Sequence, residues 1–349
     1  MQQILIYVVL RQNKLTNVFY SVKMKDNLIM KISCEVIMDI KEFIKEAKHG
    51  PEPEDRIEYF NIKAKVSANV LTNAQDMPTP GYTYDADVTE FWKEFREFKN
   101  ECDYNLTFND LLMRAMVEGL KVAPRLNSYI EYNRLCTTGK IIIKKHVDIA
   151  LPVLLDSGET FPVKVSACEE KTLKEISLRT AELVNMLKTQ DVDRVIFDMI
   201  AQRTIGFILN GKIISTVAQT LAGYIGKGKV ATVKGIFEHA PKTPDYISPN
   251  DLNEGTVCLT NLGAVNKTLN GRVTNAPLLF PQVFLMAVGV ARDENYVFRN
   301  EKGEIDMGTK TMLPITITFD HRVGGFGDIL PFIQKLDEIF ANPKVIREW

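Results

Sequence analysis

The sequence predicts a mixed α/β protein of the α+β kind, and three observations carry that prediction. Apolar and hydroxyl side chains alternate strictly over Ile315-Thr316-Ile317-Thr318-Phe319, the period-two pattern of a half-buried strand. Val283 to Val290 is short and almost wholly apolar, which reads as a buried strand. Between residues 88 and 120 the apolar positions recur at helical spacing instead, as Val88, Phe91, Trp92, Phe95 and Phe98 and then as Leu111, Leu112, Ala115, Met116 and Leu120. At 349 residues the chain can bury one large core or two smaller ones.

Composition narrows the class. Apolar residues make up 45% and charged residues 25%, the balance of an ordinary globular protein. The formal net charge of −1 gives no pull toward nucleic acid or an anionic membrane surface. The five cysteines, Cys34, Cys102, Cys136, Cys168 and Cys258, are scattered and odd in number and lack CxxC spacing. We therefore expect no metal site, no disulfide framework and a reducing, cytoplasmic compartment. The apolar run Ile4–Leu10 is too short to span a bilayer and lacks a basic leader, so neither a membrane span nor a signal peptide is expected. A truer start at Met24 or Met30 is the preferred reading of that end.

The elements follow in order. Residues 1–55 read as an N-terminal extension and linker, with a short amphipathic helix over Met38–Lys48 broken by His49-Gly50-Pro51. Residues 57–83 mix short apolar alternations with turn residues. The first strong helix carries the aromatic stripe of residues 88–98. Thr107 caps the second, which Ala123-Pro124 ends. A strand near Tyr129–Tyr132 leads by a turn into a long strand over Ile141–Val153, on which His146 reads as structural. Asp156-Ser157-Gly158-Glu159 is a turn, Phe161–Val165 a strand and Lys171–Leu187 a helix. Residues 192–235 are apolar with few acids, and read as a helical insertion packed on the core, or as an interaction surface. A Pro/Asp/Asn connector precedes the strand Gly255–Gly263, and a hairpin turn at Glu301–Glu304 precedes the strand that ends at His321. The last helix runs from about Asp328, its expected N-cap, to Ala341.

That final strand delivers Asp320-His321-Arg322, followed by Gly324, Gly325 and Gly327. A histidine there stands on a rigid element beside an open turn, where a general base is held steady while substrate reaches it. It is one of only four histidines in the chain.

Several ordered segments now align: Thr107-Phe108-Asn109-Asp110, Pro124-Arg125-Leu126-Asn127-Ser128, Val147-Asp148-Ile149-Ala150, Phe161-Pro162-Val163, Leu173-Lys174-Glu175-Ile176-Ser177, Leu259-Thr260-Asn261-Leu262-Gly263, Asn275-Ala276-Pro277 and Asp320-His321-Arg322-Val323. With these, the stretch from about Ile62 to the C-terminus resembles the catalytic domain of the dihydrolipoamide acyltransferases of 2-oxo-acid dehydrogenase complexes, and more remotely chloramphenicol acetyltransferase, so residues 56–349 are expected to form that domain. The resemblance implies a two-layer sandwich, a mixed sheet with helices on one face. It also implies acyl transfer between coenzyme A and a dihydrolipoyl thiol, with His321 as general base. A thiol of pKa about 8.5 is a poor nucleophile until it is deprotonated. Thr260 matches the hydroxyl that stabilises the tetrahedral oxyanion. Asn261, Asp320, Arg322 and Asp328 fall in supporting positions. The family forms trimers with the active site between subunits, so a homotrimer is implied in which His321 of one chain meets Thr260 of another.

Two departures qualify the match. The family pattern after the histidine is HxxxDG, in which the Asp braces the site through an arginine. Here Gly325 and Phe326 occupy those positions, leaving bracing by Asp328 or a weakened enzyme. No Asp-Lys-Ala lipoylation hairpin precedes the catalytic region. The expected chain is thus a stand-alone catalytic domain without a covalent cofactor, taking its lipoyl group from another, lipoyl-bearing protein. The alternatives are a catalytically weakened trimeric scaffold, and an acetyltransferase for a small hydroxyl or amine acceptor.

Overall fold

The longest strand among the described residues, Ile305–Phe319, runs through a seven-stranded mixed sheet and ends one residue before Asp320. The computed structural model describes residues 77–133, 136–156, 158–189, 195, 247–253, 255–265, 271–274, 276–279 and 281–349. The expected extension over 1–55, Asn275 and all of the expected insertion over 192–235 except Val195 lie outside them. Nine strands occur among the described residues: β1 Gly81–Asp87, β2 Ser128–Asn133, β3 Thr138–Ile143, β4 Ile149–Leu154, β5 Thr160–Val165, β6 Val257–Asn261, β7 Phe284–Val288, β8 Arg292–Arg299 and β9 Ile305–Phe319. The described helices of more than one turn are α1 Thr89–Glu101, α2 Phe108–Val122 and α3 Leu173–Thr189, with a short α4 at Leu262–Val265 and a final α5 at Phe326–Ala341.

The main sheet has the order β1-β9-β7-β6-β4-β5. The β4–β6 and β6–β7 pairs are parallel, and the pairs that β9 makes with β1, β7 and β8 are antiparallel. Because β1 and β8 both reach Met312, β8 lies on the β7 side of β9, end to end with β7. A separate hairpin, β2–β3, touches the main sheet through a bridge between Tyr129 and Gln282.

The helices lie on one face. Val257 and Leu259 of β6, Phe284, Met286 and Val288 of β7 and Leu313, Ile315, Ile317 and Phe319 of β9 share one core with the buried residues of α1, α2, α3 and α5. The alternate residues Cys258, Leu285 and Ala287 point the other way, into a smaller cluster with Met77, Ala276 and Leu278. Period-two alternation is what divides them. The two-layer arrangement expected from the resemblance is the one observed. The capping expected at Thr107 is complete: its hydroxyl accepts from the Asp110 N–H at 3.3 Å and its own N–H donates to Asp110 Oδ2 at 2.8 Å.

Four expectations need correction. The strand expected over Ile141–Val153 is two strands, β3 and β4, because the chain bends between them and leaves His146 on the bend. Thr316 and Thr318 are not half-buried strand exteriors. Both are buried, because the stretch around Val273 covers that face and its carbonyl accepts the Thr316 hydroxyl. Strand β1 was not expected at all. Its Tyr82/Tyr84/Ala86 positions alternate with Thr83, Asp85 and Asp87, and acids on the outer positions are what an edge strand tolerates. The last helix starts at Phe326, with Gly325 as its N-cap, so Asp328 stands in the third helical position.

Helices α2 and α5 pack closely enough to test. A Cβ on Gly119 falls 2.6 Å from two ring carbons of Phe332, inside the shared core. Gly119→Ala is expected to lose about 1–2 kcal/mol of stability, overpacking of ~1–3 kcal/mol outweighing a helix-propensity gain of ~1 kcal/mol. The urea midpoint measures it, and a midpoint at or above wild type means that Phe332 moves aside freely.

Candidate active site

The Asp-His-Arg triplet is a clamp with the histidine turned outward. Asp320 is fully buried, and its backbone N–H donates to the Val283 carbonyl at 2.9 Å. Its carboxylate is satisfied from two residues away. Oδ1 accepts the Arg322 N–H and Nε, both at 2.9 Å, and Oδ2 accepts Nε at 3.1 Å and Nη2 at 2.5 Å. A buried charge is tolerated only when it is paired and hydrogen-bonded, and the guanidinium fork does both. With residues 320 and 322 locked together, the exposed His321 has little freedom. Its backbone N–H donates to the Pro78 carbonyl at 2.9 Å, and its ring lies 5.7 Å from that of Phe319.

The His321 ring is oriented by a hydrogen bond, Nδ1 to the Gly324 carbonyl at 2.9 Å. A carbonyl can only accept, so Nδ1 carries the proton. In the neutral ring Nε2 is then the free acceptor. That is the tautomer a general base needs. Neither the Gly324 carbonyl nor its role was legible beforehand, since the sequence shows only a glycine there.

Thr260 and Asn261 close strand β6 on opposite faces. Asn261 turns toward the helices, where Nδ2 donates to Asn109 Oδ1 at 2.6 Å and Oδ1 accepts from the Ala264 N–H at 3.2 Å. It ties the start of α2 to the start of α4. Thr260 points with Cys258 to the other face and is half-buried. It pairs with Ala287 of β7, which pairs with Thr316 of β9. His321 lies five residues beyond Thr316 in the chain and two strands across from Thr260. At the ~3.3 Å rise and ~4.8 Å strand spacing of a sheet, this puts the two on the order of 15–20 Å apart within one chain. One protomer does not bring them together.

Asp328 meets the glycine turn. Its Oδ2 accepts the Gly325 N–H at 2.9 Å, and its own N–H donates to the Gly325 carbonyl at 3.0 Å. Its Oδ1 faces Arg125 Nη1 at 3.8 Å. Arg125 is a site residue that sequence reasoning left unassigned. The Pro124–Ser128 segment signalled it, but nothing local joins residue 125 to residue 328.

A second cluster surrounds His146. Its Nδ1 lies 2.7 Å from Glu169 Oε1 and 3.5 Å from Glu170 Oε1. Among the described residues this is the one group of three metal-capable side chains, its donor atoms all within 4.8 Å of one another. The residue spacing did not disclose it, because 23 positions separate His146 from Glu169. Glu169 also accepts the Val147 N–H at 2.9 Å. Burial pushes its carboxyl up, but the Val147 N–H, its own N–H and His146 together outweigh burial and hold it below the usual carboxylate range.

A mixed sheet with one helical layer, a strand-end histidine with a free Nε2 and a clamped Asp–Arg pair define an acyltransferase-like architecture. The model of the 2-oxoacid dehydrogenases acyltransferase (catalytic domain) family matches residues 51–194 and 237–347. The chain belongs to that family. It is 21% identical over 302 residues to the dihydrolipoyllysine-residue acetyltransferase component of the mitochondrial pyruvate dehydrogenase complex of Saccharomyces cerevisiae, covering 84% of this chain and 49% of that protein. The chain thus spans about half the length of this relative. Among solved structures it resembles the cubic core of a pyruvate dehydrogenase multienzyme complex, with a TM-score of 0.56 and 18% identity over 86% of this chain and 96% of the other. It also resembles the dihydrolipoamide acetyltransferase of Azotobacter vinelandii, with a TM-score of 0.55 and 18% identity over 86% and 96%. A serine, a histidine and an asparagine of that enzyme were investigated for their role in its catalytic mechanism.

The depressed Glu169 carboxyl carries a pH signature. A group held below its unfolded value stabilises the fold above that value, and the contribution is lost as pH falls through the folded one. Glu169→Gln is expected to cost about 1.5–3 kcal/mol at neutral pH, the worth of one charge-assisted hydrogen bond. The gap to wild type should close in acid, below the ordinary value of 4.5 and through the lowered one. Denaturation curves at neutral and acid pH measure it; a gap that persists unchanged into acid assigns the loss to packing instead.

Proposed function

We propose that the chain is a coenzyme A-dependent acyltransferase that moves an acyl group between coenzyme A and a dihydrolipoyl thiol carried by another protein. The observation that carries this reading is the His321 ring, whose Nδ1–H is bound by the Gly324 carbonyl and whose Nε2 is left to accept a proton at the exposed end of β9. In the reaction Nε2 takes the proton of the attacking thiol. The resulting thiolate adds to the thioester carbonyl, and the tetrahedral oxyanion is met by a hydroxyl donor. Collapse breaks the old carbon–sulfur bond, and the departing sulfur takes the proton back from the imidazolium.

The hydroxyl is that of Thr260, and it comes from a second copy of the chain. Sheet geometry sets His321 and Thr260 of one chain on the order of 15–20 Å apart, far beyond the ~3 Å of a shared reacting carbon. An assembly that faces the His321 end of one protomer with the Thr260 end of the next supplies both. A homotrimer is the smallest closed ring we assign, and the multienzyme core to which the fold is similar supports it. Asp320 and Arg322 hold the base, and Asn261 holds the turn that carries the hydroxyl. Cys102, Cys168 and Cys258 are free thiols, which suits the reducing, cytoplasmic setting we assign.

Acetyl transfer from acetyl-CoA to dihydrolipoamide tests the reading. His321→Ala is expected to lower kcat by ~100- to 10,000-fold, the contribution of a general base. Thr260→Ala is expected to lower it by ~100-fold or more, the worth of one oxyanion donor. Unfolding and refolding the two inactive variants together should restore part of the activity, because mixed assemblies contain interfaces with both residues intact. No recovery in verified mixed assemblies removes the shared site. A wild-type chain that assembles but neither binds coenzyme A nor transfers acetyl supports a scaffold instead, the reading favoured by Gly325 at the position of the missing aspartate.

A further inference from the structure

We propose that Asp328 is a positioning residue for His321, and that it takes over from one helical turn away the bracing that this chain lacks at Gly325. The inference rests on the acyltransferase reading and deepens it. The path is short and continuous. Arg125 Nη1 faces Asp328 Oδ1 at 3.8 Å. Asp328 Oδ2 accepts the Gly325 N–H at 2.9 Å. That N–H belongs to the same peptide as the Gly324 carbonyl, which accepts from His321 Nδ1 at 2.9 Å. A peptide is planar, so fixing its N–H fixes the direction of its C=O. The carboxylate therefore sets where the carbonyl points, and the carbonyl sets the tautomer and tilt of the imidazole.

Two glycines show that the arrangement is more than a helix cap. A Cβ on Gly324 falls 2.6 Å from Asp328 Oδ2 and 2.8 Å from its Cγ, so the carboxylate lies where a side chain at 324 would stand. A cap needs only the Gly325 N–H; it does not need the preceding residue stripped bare. At Gly325 the outcome is the reverse. A Cβ there meets only His321 Cε1, at an ordinary 3.8 Å, and its φ of −100° suits any residue. The position four after the histidine thus has room for a Cβ, so its glycine is not required by packing. The Asp328 and Arg125 side chains are 36% and 49% exposed, so their attraction alone is weak. Arg125 keeps the carboxylate turned toward the peptide; the hydrogen bond to Gly325 does the positioning.

The test compares wild type with Asp328→Ala, Asp328→Asn and the double variant Gly325→Asp/Asp328→Asn. Two readouts are taken: kcat and KM for acetyl-CoA with dihydrolipoamide, and the nitrogen chemical shifts of the His321 ring across pH. Asp328→Ala should lower kcat by up to ~100-fold, the scale of an ångström's misplacement, and leave KM within about twofold. It should also erode the dominance of the Nδ1–H tautomer in the His321 spectrum. Asp328→Asn can still accept from Gly325 and should fall between the two. Moving the acid to 325 should recover both kcat and the tautomer. A plain capping role predicts a lower melting temperature with kcat, tautomer and pH profile of the folded protein unchanged, and that result overturns the proposal. If wild type transfers no acyl group, the acyltransferase reading fails while the ring-nitrogen comparison still decides whether Asp328 orients His321.

Discussion

A carboxylate with no exposure to water must find a cation within the fold, and Asp320 finds it two residues along the chain. The cost of burying an unpaired carboxylate is several kcal/mol, so the Arg322 fork is the condition on which the turn after β9 exists at all. Clamping residues 320 and 322 fixes the residue between them. His321 is held outward by a backbone bond to Pro78, and its ring is set by the Gly324 carbonyl. The chemistry we assign to the imidazole follows from that one buried pair and the strand that delivers it.

The same strand explains why the function we propose calls for a second copy of the chain. Strand β9 runs antiparallel to β7 while β6 runs parallel to it, so the C-terminal ends of β9 and β6 fall at opposite margins of the sheet. In the function we propose, a base at one margin and a hydroxyl at the other cannot act on one carbon of the same chain, and repetition around a closed assembly is what joins the two.

Much of this architecture was legible along the chain. The alternation at 315–319, the apolar run at 283–290 and the helical spacing of 88–120 all give local structure directly, because strand and helix periods are properties of neighbouring residues. The capping box at Thr107 was equally plain. What failed was legible only in three dimensions. The bend that strands His146 between β3 and β4 carries no glycine or proline, and Thr316 and Thr318 look like exterior residues until the stretch near Val273 is laid over them. Edge strand β1 went unread although Tyr82, Tyr84 and Ala86 alternate with Thr83, Asp85 and Asp87, whose ion partners, Arg272 for Asp85 and Lys310 for Asp87, lie far along the chain.

By itself the sequence determined most of the elements and the family, and singled out the histidine, since periodicity and ordered short motifs survive without knowledge of contacts. Only the tertiary structure decided what the motifs do to one another. Asn261 of one segment bonds Asn109 of another, Thr256 holds Asp148 on the neighbouring strand, and Arg125 reaches Asp328 across about two hundred residues of chain. The physical reason is that hydrogen bonds and ion pairs act over about 3–4 Å of space, whatever the sequence separation. A missing aspartate at 325 can therefore be answered from 328, and no reading of the chain in order could tell that answer from an ordinary helix start.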